Sequence, residues 1–322
     1  MTDFFNMHFL VSAALILSAV FVNGWTDAPN AVATCVASGA MPLRRAANMA
    51  AVCNFFGLLL TSAFGNRVAK RVAETVPSGN GAQVAVYAAL LSVVVFAVVA
   101  WSFGIPTSES HALLAALSGA AVAKEGKSGL NSGLWWSVIL GIILTSLLGF
   151  LLGYVLKRLL NVSRLREKRR LLTALEIISA ALLSLIHGAQ DGQKFTIVAM
   201  SVFSFSGLEV TYGAATLLCA VVLALGTAVG GARIIKKVGS GITVVDEGGG
   251  VCCDTAAFIS IFVCTLFGMP VSTTHTKTSA VLGLGVANKN VNTKTYYEIF
   301  SLWLLTFPVC FVLGWGITRL CL

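Results

Sequence analysis

Asn23-Gly24-Trp25-Thr26-Asp27-Ala28-Pro29-Asn30 interrupts an apolar run, Phe9 to Val36, that otherwise reads as one membrane helix. A carboxylate, the amides of Asn23 and Asn30, a glycine and a proline stand where the middle of a bilayer would lie. Glycine and proline loosen a helix and release backbone groups. A charge at that depth is expensive and marks a functional site by default. The same kind of interruption returns at His187-Gly188-Ala189-Gln190-Asp191-Gly192-Gln193-Lys194. His187 follows Asn23, and Asp191 follows Asp27, by the same 164 residues.

A second pair of motifs keeps that offset. Gly104-Ile105-Pro106-Thr107-Ser108-Glu109-Ser110-His111 aligns with Gly268-Met269-Pro270-Val271-Ser272-Thr273-Thr274-His275, again 164 residues on. Gly119 with Gly283, and Ala123 with Ala287, extend the register, and Arg67–Val72 against Arg233–Val238 is a looser echo shifted by two. Two independent motif pairs at one ungapped offset point to duplication. The expected division is a first transmembrane repeat over 1–157, a basic cytoplasmic linker over 158–170 and a second transmembrane repeat over 171–322.

Composition places both halves in lipid. Of 322 residues, 57% are hydrophobic and only 11% charged, with mean hydropathy +0.87; a soluble domain carries about 25% charge. Val84–Phe103, Leu134–Leu156, Tyr212–Val229 and Ile299–Leu320 reach or approach the roughly 20 residues that span hydrocarbon. Runs of that length are helices rather than barrel strands. The expectation is an all-α polytopic protein of the plasma (cell) membrane. Met1–Asn6 lacks a basic start, so no cleavable signal is expected. The net charge of +9 does not indicate nucleic acid, because seven of the 22 Lys and Arg lie between Lys157 and Arg170. A basic loop between apolar halves follows the positive-inside bias. The eight cysteines form no C-x-x-C pair and read as small buried hydrophobes.

The first half then reads as a broken helix over Phe9–Ala40, followed by Ala46–Phe64, Val84–Phe103, a polar-headed segment Pro106–Ala123 and Leu134–Leu156. The second reads as a broken helix over Leu172–Phe203, followed by Tyr212–Val229, Val251–Phe267, a polar-headed segment Pro270–Ala287 and Ile299–Leu320. Each polar-headed segment suits a re-entrant hairpin, since non-helical backbone at membrane depth needs cover from protein or a cavity. Counting each broken helix as one crossing and each hairpin as none gives four crossings per half, hence parallel repeats. The basic stretches Arg67–Arg71 and Arg233–Lys237 fit that count by favouring one side.

Chemistry follows from what the repeats supply. Asp27, Asn30, Asp191 and Gln190 are hard oxygen donors that suit Na+, and the carboxylates alternatively suit a proton. Thr107, Ser108, Ser110, Ser272, Thr273 and Thr274 cluster at the starts of short helices, where free N–H groups and the dipole favour an anion. Two such starts, one per repeat, could clamp a tetrahedral oxyanion, as in the general plan of secondary transporters. His111, His187 and His275 lie in the motifs and either bond the anion, handle protons or tie the hairpins to their neighbours. Lys194, aligned with Asn30, either pairs with Asp191 or offers charge to the anion.

Enzymatic readings are weaker. His187 and Asp191 have i, i+4 spacing, but no third metal ligand is placed by spacing. Ser110, His111 and Asp27 lack triad geometry in themselves. No Walker A loop is present, so direct ATP driving is not expected.

Asn23–Asn30 followed by Ala31-Val32-Ala33-Thr34, the His187–Lys194 stretch and the Pro-Ser/Thr-His segments together resemble the inorganic phosphate transporter (PiT) family of secondary carriers. The resemblance covers both halves. It implies inverted repeats, phosphate transport with a coupling Na+ or H+, coupling roles for Asp27, Asn30 and Asp191, and oxyanion contacts from Ser108, Ser110, Ser272, Thr273 and Thr274. Departures are Thr26 where asparagine is common, Pro29 where an aliphatic or small residue is common, Gln190 for asparagine, Glu109 for serine, and Lys277 within the second segment. Glu109 could repel an anion, carry a coupling proton or face water. The expected function is secondary active phosphate transport by alternating access, with Na+ or H+ as coupling ion and no cofactor; the protein could pair as a homodimer. The alternatives are a sulfate or other oxyanion permease of the same fold, a passive anion channel and, furthest off, an intramembrane hydrolase.

Overall fold

The computed structural model describes residues 7–60 and 65–322; the expectations for Met1–Asn6 and for the end of Ala46–Phe64 lie outside that part. In the first half α1 (Met7–Thr26), α2 (Ala33–Ala37), α3 (Leu43–Leu59), α4 (Arg67–Ala73), α5 (Ala82–Ser102), α6 (Glu109–Glu125) and α7 (Ser132–Val162) follow one another. The second half holds α8 (Arg169–Phe205), α9 (Tyr212–Val229), α10 (Ala232–Ser240), α11 (Glu247–Leu266), α12 (Thr273–Ala287) and α13 (Thr293–Cys321). No strand occurs among the described residues. Only 163–168, partly a 3-10 turn, separates α7 from α8 within the basic stretch.

Among the described residues, seven stretches are long and apolar enough to cross a membrane: Phe9–Ala37, Ala82–Ser102, Ser132–Val162, Arg169–Phe205, Tyr212–Val229, Glu247–Leu266 and Thr293–Cys321. Along α7 the exposed residues Leu140, Ile143, Leu147, Leu151, Val155 and Leu159 recur every three or four positions, which paints one apolar face outward. Charged groups such as Asp27, Asp191, Lys194, Asp254 and Lys277 are buried instead. This is a multi-pass membrane protein.

Proline decides which motif breaks. After α1 a 3-10 turn spans Ala28–Val32 with Pro29 at its start, and α2 then resumes the helix. Proline fits the first helical turn but not the interior, where it lacks the N–H donor. The second motif has no proline, and the expected break there is not found: α8 is continuous through His187–Lys194. An interior glycine costs a helix only about 1 kcal/mol relative to alanine. Here Gly188 serves close packing, because a Cβ on it would collide with the Asn54 carbonyl oxygen of α3.

The polar-headed segments also differ from expectation. Each is one continuous helix, α6 or α12, and the other arm of its hairpin is the preceding apolar helix, α5 or α11. The two connecting turns are built alike: Ile105 N–H donates to the Ala100 carbonyl at 2.9 Å, and Met269 N–H to Cys264 at 3.0 Å. Gly104 at φ +65° and Gly268 at φ +69° supply the left-handed residue each turn requires. The Trp101 ring at the end of α5 stands 4.2 Å from Trp25, so α5 ends level with the Asp27 motif. The count of four crossings per half treated that arm as a crossing.

Helix direction corrects the rest of that count. Ser12 bonds Ser206 at 2.8 Å, while Ser38 donates to Glu176 at 2.8 and 2.9 Å. The α1–α2 segment and α8 therefore run antiparallel, with Asp27 and Asp191 midway. The basic echoes lie on opposite sides of that midpoint. Ala69 of α4 donates to Gln193, on the α8 half leading to Ser206, whereas Gly239 of α10 packs on Ala33 of α2.

The halves interlock. A Cβ on Gly119 of α6 would meet the Phe311 carbonyl of α13, and one on Gly283 of α12 would meet the Phe150 carbonyl of α7. Equivalent glycines thus let each hairpin helix press against the last long helix of the opposite half.

Candidate functional site

Both hairpin tips arrive at the two acidic motifs. Ser108 and Ser272 are the N-caps of α6 and α12, and their hydroxyls accept from His111 N–H at 3.4 Å and His275 N–H at 3.3 Å. Such a cap satisfies one of the orphan donors at a helix start. Ser110 lies 3.3 Å from Ser108 through their hydroxyls. The rings of His111 and His275 are 4.9 Å apart, which brings the two helix starts face to face. His275 also packs on Trp303 at 4.1 Å, and His111 on Phe307 at 5.3 Å.

The second tip is bonded to both motifs. Thr274 donates to Asp27 Oδ1 at 2.5 Å and accepts from Asn30 Nδ2 at 2.7 Å. Asn30 also reaches back to the Asp27 carbonyl at 2.9 Å. Thr273 Oγ1 lies 2.8 Å from His187 Nδ1. Lys194 Nζ donates to Asp191 Oδ1 and to the Val271 carbonyl, each at 2.7 Å. Lys194 is therefore the ion-pair partner of Asp191, and His187 is 3.8 Å from the other carboxylate oxygen. Gln190, expected beside the coupling ion, bonds the second hairpin. Its Nε2 donates to the Met269 carbonyl at 2.8 Å, and its Oε1 accepts from Thr265 at 3.1 Å.

The first tip is tied in by residues that depart from the family pattern. Glu109 Oε1 accepts from Thr26 at 2.6 Å and from Thr107 at 3.1 Å. Thr26 and Glu109 are thus partners, one from α1 and one from the tip. Glu109 is fully buried, so of its three sequence readings it does not face water here.

Asp27, Asn23, Asn30, Thr107, Ser108, Glu109, Ser110, His111, His187, Asp191, Lys194, Ser272, Thr273, Thr274 and His275 are all buried. Within this cluster Asp27 Oδ2, Asn30 Oδ1 and Glu109 Oε2 have no hydrogen-bond donor, while the Asp191 carboxylate also faces the Asn23 amide and His187. A buried oxygen without a donor is costly. Hard, unpartnered oxygens with two or more negative charges fit a hard cation, so these residues would suit Na+.

Sequence reasoning singled out Lys277 but missed its partner Asp254. Lys277 forms an ion pair with Asp254 and donates to Thr34 Oγ1 at 2.7 Å, and Thr34 donates to Asp254 at 2.7 Å. Asp254 is the lone acid in the apolar stretch 251–267, and that was the available signal.

Comparison with known proteins agrees with this architecture. The description of the Phosphate transporter family matches residues 23–175 and 160–314. A probable low-affinity inorganic phosphate transporter of Bacillus subtilis (strain 168) is 34% identical, covering 91% of each chain. One of Rhizobium meliloti (strain 1021) is 33% identical, covering 93% of this chain and 91% of its own. The solved structure described as the sodium-dependent phosphate transporter superposes with a TM-score of 0.85 at 20% identity, over 100% of this chain and 99% of that one; at that identity it speaks for the fold. Spanning nearly the whole length of such relatives, this chain belongs to the phosphate transporter family.

Proposed function

We propose that the protein is a secondary active carrier of inorganic phosphate in the cell membrane, driven by Na+ or H+ and working by alternating access around the hairpin tips. The observation that carries this is the meeting of two serine-capped helix starts with two acidic motifs in one buried cluster. Helix starts and hydroxyls at Thr107, Ser108, Ser110, Ser272, Thr273 and Thr274 would hold the oxyanion. Asp27, Asn30 and Asp191 would hold the coupling cation, whose positive charge offsets the anion's in a site cut off from water. The antiparallel run of α1–α2 and α8 supports inverted repeats over 1–157 and 171–322, joined by a basic cytoplasmic linker. Exchange of the two repeats' conformations would then open the site to each face in turn. The sodium-dependent description of the structural neighbour favours Na+ among the coupling ions.

Phosphate is favoured over sulfate by a specific feature. Protonated phosphate can donate a hydrogen bond, which sulfate near neutrality cannot. Glu109 Oε2 and Asp27 Oδ2 are acceptors without donors at the site.

The test is uptake into proteoliposomes, with labelled phosphate and sulfate compared under separate Na+ and proton gradients. Uphill phosphate accumulation that requires a cation gradient is expected. Downhill flux alone would mean a channel, and sulfate uptake indifferent to excess phosphate would refute the substrate assignment.

A further inference from the structure

Three residues of the first motif-bearing segment, Asn30, Thr34 and Ser38, are spaced four apart, each about one turn beyond the last. Each holds a polar group of the second half. Asn30 meets Thr274 at 2.7 Å, Thr34 meets Lys277 and Asp254 at 2.7 Å, and Ser38 meets Glu176 at 2.8 Å. The Glu176 carboxylate packs against Gly250, one turn before Asp254 on the same face of α11. A polar ladder thus leads from the site toward the face that carries the basic stretch Lys157–Arg170.

The duplication supplies an internal control. At the 164-residue offset, Thr34, Ser38, Asp254 and Lys277 correspond to Val198, Val202, Leu90 and Leu113. All four are fully buried in one apolar cluster. Glu176 corresponds to the neutral Ser12. The fold therefore has a ready apolar solution at these places, and replacing buried ion pairs by packed apolar residues is often neutral or stabilising. Stability does not account for a lysine and two acids here. Asp254 Oδ2 is moreover buried without a donor.

We propose that Asp254 and Lys277 form a proton-binding site linked to the oxyanion site, an inference that rests on the transport reading above. A proton from the basic-loop face, passing Glu176, forms an O–H bond at Asp254 Oδ2 and cancels its charge. Lys277 then carries an uncompensated positive charge one turn along α12 from Thr274, where it attracts the anion. The link is reciprocal: bound anion favours the proton by the same factor. The titratable or charged groups facing the pair are Glu176 of α8, Cys35 of α2 and Cys253 of α11, with Lys157 of α7 further out. Asp246 and Glu247 lie beyond Glu176.

The experiment measures phosphate binding to the purified full chain from pH 6 to 9 at fixed Na+, with wild type and variant compared at each pH so that phosphate's own titration cancels. Asp254→Asn mimics the protonated state. It is expected to bind more tightly than wild type at alkaline pH, with the affinity ratio growing by up to about tenfold per pH unit. A merely structural residue would not give tighter binding. Asp254→Leu/Lys277→Leu, copying the first half, is expected to bind more weakly and to lose the same pH dependence. That pair carries the test if Asp254→Asn fails to fold. A wild-type-to-variant ratio that is constant with pH overturns the inference and leaves phosphate transport standing. No phosphate binding by folded wild type defeats both.

Discussion

Lys194→Met should separate what holds the second hairpin from what merely lines it. Lys194 and Asp191 are fully buried, and their 2.7 Å ion pair is joined by a 2.7 Å bond to the Val271 carbonyl at the hairpin tip. Removing one partner of a buried pair costs about 3–5 kcal/mol, because the other charge is left uncompensated. The lost bond to Val271, typically about 1.5–3 kcal/mol for a charged donor, falls within that figure. A loss near 4 kcal/mol corresponds to a roughly thousandfold shift toward the unfolded state. The double variant Lys194→Met/Asp191→Asn removes both charges and should lose less than the single losses added together, with a coupling energy of at least about 2 kcal/mol. Denaturation in mixed detergent micelles, followed by tryptophan fluorescence, reads all three. A single variant within 1 kcal/mol of wild type, or strictly additive losses, would show that the pair does not anchor the tip.

Further substitutions probe three separate parts of the molecule. Asp27→Asn should cut cation-driven phosphate uptake at least tenfold in proteoliposomes while circular dichroism stays native; undiminished coupled uptake would remove Asp27 from the mechanism. Gly119→Leu should cost at least about 1–3 kcal/mol by overpacking α6 against α13, and the equivalent Gly283→Leu should cost the same against α7; a neutral result at both in detergent unfolding would contradict the close crossings. Thr26→Val should leave the buried Glu109 carboxylate with the Thr107 hydroxyl alone, at about 1–3 kcal/mol, whereas Thr26→Asn/Glu109→Ser, which puts at each position the residue the resemblance implies, should keep more uptake than Glu109→Ser alone.

The sequence was legible where composition forces the outcome. Long apolar runs gave the membrane helices, and one ungapped offset gave the duplication and its paired motifs. It was less legible where two motifs look alike but differ by one atom set. Pro29 breaks the first, while Gly188 and Gly192 leave the second intact, because glycine loosens a helix without removing its donor. Hydropathy could not tell the hairpin arm α5 from a full crossing, since both are apolar and of similar length. What distinguishes them is contact: Trp101 on Trp25, and the turn at Gly104. Partnerships across the fold were invisible for the same reason. Thr26 and Glu109 read as two unrelated departures, although they share a 2.6 Å hydrogen bond.

Duplication explains why these departures matter. A symmetric pair of repeats starts with equal chemistry in each, so every unequal position is a change that one half accepted alone. Lys194 stands against Asn30, Glu109 against Thr273, and Lys277 against Leu113. The backbone constraint is shared, as the matched glycines and matched turns attest, so packing does not demand these differences. Each instead puts a charge into buried space around the meeting point of the tips, and each charge found a partner: Asp191 one turn away on the same helix for Lys194, Thr26 of α1 for Glu109, and Asp254 of α11 for Lys277. On the transport reading proposed above, the ion and phosphate gradients set the direction of net flux, and these unequal buried charges would set which ions the site accepts and how tightly each access state holds them.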